Sequence, residues 1–147
     1  MFEATQVTPD QLTRYDNVIY GGGLYAVGIN GVGLIKANLP KLRGKKVVVF
    51  AVGASPERSE VMAGVRNKNF TAEQQQQLRF FYLRGGFDYR RLNRFYKMVM
   101  TLMKWQLSKK QELTPDEQGI LAAYEHPVDF TKRENVAPIV AYITGND

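Results

Sequence analysis

Short apolar runs rich in β-branched and aromatic residues alternate along the chain with segments of helical spacing. Three runs, at residues 17–20, 45–52 and 79–83, are predicted to be strands. The second reads KKVVVFAV, and such a continuous run is typical of a strand covered on both faces, as in a parallel sheet. The first strand leads into Gly21, Gly22 and Gly23, which we interpret as a tight loop.

Apolar residues at intervals of three and four predict helices between these strands. The predicted segments are a capped turn at 8–11, helices at 31–42, 71–78, 88–108 and 131–143, and a further helix start capped by Thr114. Strands separated by helices favour a parallel α/β sheet with right-handed crossovers. No change in composition marks a second domain, so we expect a single domain over residues 1–147.

The segment 88–108 has an amphipathic pattern. Its polar stripe consists of Arg90, Arg94, Lys97, Thr101, Lys104 and Ser108. Its opposite face, which we expect to be core, consists of Leu92, Phe95, Tyr96, Val99, Leu102 and Met103. Met98, Trp105 and Arg91 lie on the shoulder. The pattern leaves two interpretations open: Trp105 packs under the following loop, or the basic stripe docks on an anionic membrane or an acidic partner. The candidate docking residues are Arg90, Arg91, Arg94, Lys97, Lys104 and Trp105.

Composition excludes several classes of site. The 147 residues include no cysteine, which rules out disulfides, iron–sulfur clusters and a cysteine nucleophile. The single His126 cannot build a multi-histidine metal site, and we expect no metal. No apolar run approaches a membrane span, and residues 1–4 do not resemble a signal peptide. We therefore expect a cytoplasmic protein, with peripheral membrane docking as the alternative above.

The net charge of +6 favours anionic partners. No signature of a nucleic-acid-binding motif accompanies the basic residues, so we expect no specific nucleic-acid binding. No arrangement of acidic residues indicates general acid–base catalysis.

The glycine-rich segment 21–26 matches the dinucleotide-binding pattern G-x-G-x-x-[GA]. Against a Rossmann site, no helix opens at once and no acidic residue follows about 20 positions later. Two other interpretations are a turn that needs glycine for backbone freedom, and a loop shaped around a flat ligand with Tyr25 stacking on it. After the second strand, Gly53, Ala54 and Ser55 could offer backbone N–H groups to a ligand, because ligands of open α/β sheets lie beyond the carboxyl ends of the strands.

These features in this order resemble the flavodoxin-like family. Residues 15–22, YDNVIYGG, resemble its third strand, and the resemblance continues to residue 143. The basic, aromatic insertion at about 88–118 is similar to the menaquinone-dependent protoporphyrinogen oxidase branch. The resemblance implies a three-layer α/β sandwich with strand order 2-1-3-4-5, bound FMN, and electron transfer or oxidation. It places Tyr25 on the isoalloxazine ring, surrounded by Gly22, Gly23, Leu24, Gly53, Ala54 and Ser55. The quinone or redox partner is not indicated.

One departure from the family concerns the N-terminus. Residues 2–7 resemble the end of the second strand, so the first strand and its phosphate-binding loop are expected to be missing. This leaves the sheet incomplete and predicts weak FMN binding. It also leaves the strand at 17–20 without a neighbour, for which we expect a homodimer.

Overall fold

A four-stranded, mostly parallel sheet organises the protein in the computed structural model, which describes residues 1–25 and 27–146 except the side chain of Asp116. The strands are β1 (Asn17–Tyr25), β2 (Gly28–Ile29), β3 (Lys46–Gly53) and β4 (Arg79–Arg84). Their order is β2-β1-β3-β4, with β1, β3 and β4 parallel and β2 antiparallel to the end of β1. The predicted α/β class with a parallel sheet is confirmed.

Helices connect the strands. They are α1 (Pro9–Leu12), α2 (Gly33–Asn38), α3 (Ser59–Asn69), α4 (Ala72–Gln76), α5 (Arg94–Ser108), α6 (Pro115–Glu125) and α7 (Ala137–Thr144). Short 3₁₀ helices lie at Ala4–Gln6, Leu39–Leu42, Tyr89–Arg91 and Arg133–Val136. The described chain forms two compact units: residues 1–84 with 132–146 hold the sheet, and residues 85–131 form a helical segment.

The sheet is covered on both faces, because helices pack on each side. On one face, Val47, Val49 and Ala51 of β3 join the core cluster with Ile35 and Leu39, from α2 and the 3₁₀ helix after it. A fully buried valine contributes about 1.5–3 kcal/mol to folding, which explains why the KKVVVFAV run forms the central strand. This face holds the main hydrophobic core.

The opposite face of the sheet carries α7. Val48 is fully buried on this face, and the rings of Phe81 and Tyr142 meet edge to face with centroids 6.3 Å apart. Lys46 Nζ donates to the carbonyl oxygens of Tyr142 and Ile143 at 3.2 and 3.1 Å. These carbonyls end a helix and have no partner within it, so the lysine satisfies them.

The glycine-rich segment is a strand, and our interpretation of Gly21–Gly23 as a loop is wrong. Gly21, Gly22 and Gly23 pair in parallel register with Phe50, Ala51 and Val52. The Phe50 ring occupies the place that a side chain at Gly21 would take. Pairing with β3 and the need for room beside this ring outweigh the low strand propensity of glycine.

The outer edge of β1 is largely open in the described structure. β2 pairs only with Leu24 and Tyr25, and Asn30 N–H donates to Gly23 C=O at 3.0 Å. No described strand pairs with this edge from Asn17 to Gly22. Ile19, in the middle of the open stretch, is 50% exposed. β1 therefore has the apolar sequence of an inner strand in an edge position.

Several predicted helices differ from the structure in extent. The segment 31–42 divides into α2 and a 3₁₀ helix at Pro40, because proline offers no N–H to continue the α-helical bonding. The helix predicted at 71–78 is the shorter α4, and that at 131–143 begins only at Ala137. The turn at 8–11 and the start capped by Thr114 are confirmed by reciprocal side-chain caps with Gln11 and Glu117.

The helical unit, residues 85–131, is built from α5 and α6. The Tyr124 hydroxyl donates to Met100 C=O at 2.6 Å and joins the two helices. Phe87 and Val128 exchange backbone hydrogen bonds of 2.8 and 3.0 Å in an antiparallel bridge. Within the described residues, no helix is both long and apolar enough to span a bilayer.

Candidate functional site at the carboxyl ends of the strands

The carboxyl ends of β1, β3 and β4 meet at one edge of the sheet, because the three strands are parallel. The structure places Leu24 and Tyr25 at the end of β1 and Gly53 at the end of β3. Ala54 and Ser55 follow directly in a bend. The predicted ring-binding residues are thus carried by two neighbouring strands at the edge where open α/β sheets bind ligands.

Gly53 is the point of closest approach at this edge. A Cβ atom on Gly53 would lie 2.6 Å from Tyr82 Oη and 2.9 Å from Leu24 Cδ1. Only glycine lets the end of β3 pass between these two side chains without a shift. This glycine therefore has a structural role, and it lets Leu24 Cδ1 lie against the last residue of β3.

The loop after β3 is held by two side chains of β4. The Tyr82 hydroxyl donates to Ser55 C=O at 2.8 Å, and Arg84 Nε donates to Ala54 C=O at 3.3 Å. Burial raises the pKa of the Tyr82 hydroxyl, although the nearby Arg84 charge partly opposes this. The hydrogen bonds to the carbonyls of Ala54 and Ser55 thus fix the position of the loop.

The remaining predicted residues of β1 have unequal surroundings. A Cβ atom on Gly22 would lie 2.8 Å from both Asn30 O and Ile29 Cγ2, so this glycine is required for packing against the β2 turn. A Cβ on Gly23 would meet no atom within 4 Å. Tyr25, 39% exposed, lies two positions further on the same side of the strand. Gly23 and Tyr25 are therefore both accessible from this side of β1.

Side chains that sequence reasoning missed hold the turn between β1 and β2. Asn69, buried at the end of α3, accepts from Ile29 N–H at 2.9 Å and donates to Val27 C=O at 2.7 Å. The Tyr20 hydroxyl donates to Asn30 C=O at 2.6 Å, and burial raises its pKa. Asn69 follows a lysine in a polar stretch, and no signal in the sequence marks it. For Tyr82 the strand RFFYLR indicates only on which face of the sheet the side chain lies, because successive side chains of a strand point to opposite faces.

The second candidate surface, on the basic helix, differs from its prediction. Arg90 and Arg91 precede α5 in a 3₁₀ turn, because the Asn93 side chain caps α5 by accepting from Tyr96 N–H at 2.9 Å. Both arginines lie within ion-pair distance of Asp88, at 3.2 and 3.6 Å, and the hydrogen bond from Arg90 lowers the pKa of this carboxyl. Arg94, Lys97, Lys104 and Trp105 are in α5, as predicted.

The predicted core face of this helix is wrong in part. Phe95, Val99 and Leu102 are exposed, whereas the side toward α6 carries Tyr96, Met100, Met103 and Leu107. The reason is that α6 contacts a sector of α5 whose centre lies roughly 70° around the helix from the centre of the predicted face. Helix α5 has more apolar residues than its contact with α6 can bury, so the others remain exposed.

Comparison with known families decides the classification of the chain. A sequence model described as a flavodoxin domain matches residues 1–114. The chain belongs to the flavodoxin domain family. Searches of curated proteins and of solved structures gave no match. The parallel sheet and the position of the candidate residues at its carboxyl edge agree with this membership.

The candidate residues at this edge offer a ligand apolar side chains and backbone groups rather than charged side chains. There is open space beside Gly23, and the carbonyls of Ala54 and Ser55 accept hydrogen bonds from β4. None of the seven candidate residues is charged. Their backbone N–H groups are the donors that they offer to an anion, without the charge-assisted contacts that make phosphate binding strong.

Proposed function

We propose that this flavodoxin domain binds FMN through its isoalloxazine ring and serves in electron transfer. The proposal rests on one observation: the end of β1, with Gly23, Leu24 and Tyr25, lies beside the end of β3 at the carboxyl edge of the sheet, with Leu24 against Gly53. When bound, a flavin supplies reversible transfer of one or two electrons. The chain contributes stacking by Tyr25 and a fixed loop position through Tyr82 and Arg84.

A riboflavin and FMN titration tests the proposal, because the two ligands differ only in the phosphate. We expect quenching of flavin fluorescence on binding, with affinities for the two within about tenfold. Each charge-assisted phosphate contact would add roughly 1.5–3 kcal/mol, and the candidate residues supply none. Protein that carries stoichiometric FMN through size exclusion would contradict weak binding, and the absence of any quenching would overturn the flavin site itself.

Two tyrosine variants locate the site. Tyr25→Ala is expected to weaken riboflavin binding about tenfold, since stacking on an aromatic ring contributes roughly 0.5–1.5 kcal/mol beyond the buried area. Tyr15→Ala is the matched control, because Tyr15 is also an exposed tyrosine but precedes β1 and packs against Phe2. Equal losses in both variants would place the flavin elsewhere.

A finer assignment within the family is the menaquinone-dependent protoporphyrinogen oxidase branch, which the basic, aromatic helical unit after β4 supports. We expect FMN-loaded protein to oxidise protoporphyrinogen with a menaquinone analogue as electron acceptor. If the bound flavin can be reduced chemically but the loaded protein does not oxidise protoporphyrinogen, the function is restricted to electron transfer.

A further inference from the structure

The helix α5 carries three distinct stripes along its length. One, described above, faces α6. The second is basic and comprises Arg94, Lys97 and Lys104. The third consists of large apolar side chains that are 45–63% exposed: Phe95, Met98, Val99, Leu102 and Trp105. Their spacing of three, four, seven and ten residues places them on one side of the helix.

The exposed apolar stripe is contiguous. Single exposed apolar residues are ordinary on protein surfaces, but five on one helix side mark an interaction site. The stripe extends from Phe95 to Trp105, about 15 Å along the helix axis at 1.5 Å per residue. Lys109 Nζ lies 3.4 Å from the centroid of the Trp105 ring and places a further cation at its end.

The charge next to this stripe is of one sign. Helix α5 contains no acidic residue. Among the described residues, no carboxylate forms an ion pair with Arg94, Lys97 or Lys104, whereas Arg90, Arg91 and Lys110 are paired with Asp88 or Glu117. Lys104 Nζ lies 5.3 Å from the centroid of the Tyr124 ring, and its long side chain extends along the helix surface.

We infer that α5 docks in the interfacial region of an anionic lipid bilayer. Its apolar stripe enters the boundary between head groups and acyl chains, and Arg94, Lys97 and Lys104 reach the lipid phosphates. A helix with Trp, Phe and Leu on one side and Lys and Arg beside them is the pattern of interfacial helices. A second copy is a poorer occupant, because it would bring two basic stripes together without a carboxylate in either helix. The inference is independent of flavin binding.

Trp105 makes the inference directly measurable, since it is the single tryptophan of the chain. With vesicles of phosphatidylcholine and phosphatidylglycerol in a 3:1 ratio, we expect a blue shift of its fluorescence and quenching by brominated acyl chains. Pure phosphatidylcholine vesicles are expected to give little of either. Raising the salt from 0.05 to 0.5 M should weaken binding, because the Debye length shortens severalfold.

Two variants separate the stripes. Arg94→Gln/Lys97→Gln/Lys104→Gln is expected to lose about fivefold in vesicle affinity per charge, on the order of a hundredfold in all. Phe95→Ser/Leu102→Ser should lose the blue shift while it keeps weak, salt-sensitive binding. The matched control, Arg14→Gln/Lys41→Gln/Arg43→Gln, removes the same charge from exposed positions of the sheet unit.

Three outcomes would overturn the inference. One is no shift and no co-sedimentation at 0.05 M salt. A second is an equal loss in the control triple variant, which would make the attraction one of net charge alone. The third is binding to polyglutamate and to anionic vesicles without quenching by brominated lipids, which would assign the surface to an acidic protein. Wild-type quenching provides the test even where a variant fails to fold.

Discussion

Asn69 Oδ1 accepts a hydrogen bond from Ile29 N–H at 2.9 Å, and this bond joins the end of α3 to β2. The same side chain donates to Val27 C=O and Val65 C=O, both at 2.7 Å. One buried amide thus holds the chain at Val27 and Ile29, close in sequence to Tyr25 of the candidate flavin surface. The position of Ile29 is thus set by Asn69, a residue 40 places away in the sequence.

Replacing this amide tests its role. Asn69→Ala is expected to lower the free energy of unfolding by about 2 kcal/mol or more, since a buried unsatisfied group costs roughly 1–3 kcal/mol. The midpoint of urea unfolding measures the change. Asn67→Ala, at an exposed position of the same helix, is the control and should change stability by about 0.5 kcal/mol or less. Equal effects of the two substitutions would show that the Asn69 bonds contribute nothing specific.

Two glycine substitutions should have opposite effects. Gly53→Ala places a Cβ between Tyr82 Oη and Leu24 Cδ1 and should destabilise the protein by about 1–3 kcal/mol. Gly64→Ala, at an exposed position in α3 with no atom within 4 Å of its Cβ, should stabilise it by about 0.5–1 kcal/mol. Thermal unfolding of both variants measures the difference. Partial rescue of Gly53→Ala by Tyr82→Phe would identify the hydroxyl as the clashing atom, and a neutral Gly53→Ala would contradict the packing argument.

The sequence predicts the centre of the fold better than its margins. The strand at 45–52 agrees with β3 to within one residue, because a β-branched run has few alternatives to a buried strand. The extension of β1 through Gly21–Gly23 was missed, since its glycines are held by pairing with β3, a long-range interaction. The sequence pattern does not predict helix α3. Only two of the eleven residues of this helix, Val65 and Asn69, are buried.

The sequence also predicts where the candidate site lies in the sheet, but not which side chains hold its loops. Its position at the carboxyl ends follows from parallel strands, which local pattern indicates. The contacts of Tyr82, Arg84 and Asn69 with the loops depend on elements 27 to 42 residues apart. Periodicity describes the face of a strand or helix but not which distant backbone carbonyl its side chain meets.

Helix α6 should lose stability in acid through Glu117. A hydrogen bond from Lys110 Nζ, at 2.6 Å, and one from Thr114 N–H, at 2.9 Å, lower the pKa of this carboxyl from its ordinary value of 4.5. The charged form is therefore favoured in the folded state. Its contribution is complete above pH 4.5 and is lost as the pH falls through the lower folded-state pKa.

Substitutions assign this acid sensitivity. Glu117→Gln, which keeps a side-chain oxygen for the cap, should show a smaller loss of stability between pH 5 and pH 3 than the wild type, as measured by urea unfolding monitored by circular dichroism. Lys110→Gln should act in the same direction. Glu112→Gln, an exposed carboxylate in the preceding loop, is the control. An unchanged pH profile in Glu117→Gln would rule out this carboxyl as a source of acid sensitivity.

The open edge of β1 predicts self-association. An apolar strand with unpaired backbone groups pairs readily with another strand, and a twofold dimer is the simplest closed assembly. We expect light scattering across a dilution series to show a dimer that dissociates on dilution. Ile19→Lys, which places a charge at the centre of the open stretch, should shift the protein to a monomer. A wild-type monomer whose Val18–Tyr20 amides are strongly protected from hydrogen exchange would contradict the dimer.

The bridge between Phe87 and Val128 holds the two ends of the helical unit together. The chain enters and leaves the helical unit at neighbouring points, because these two residues pair just inside its ends. A segment joined in this way can be gained, lost or exchanged in a gene without changing the connectivity of β4 and α7. Residues 85–131 therefore have the form of an insertion whose two ends are held together by this bridge.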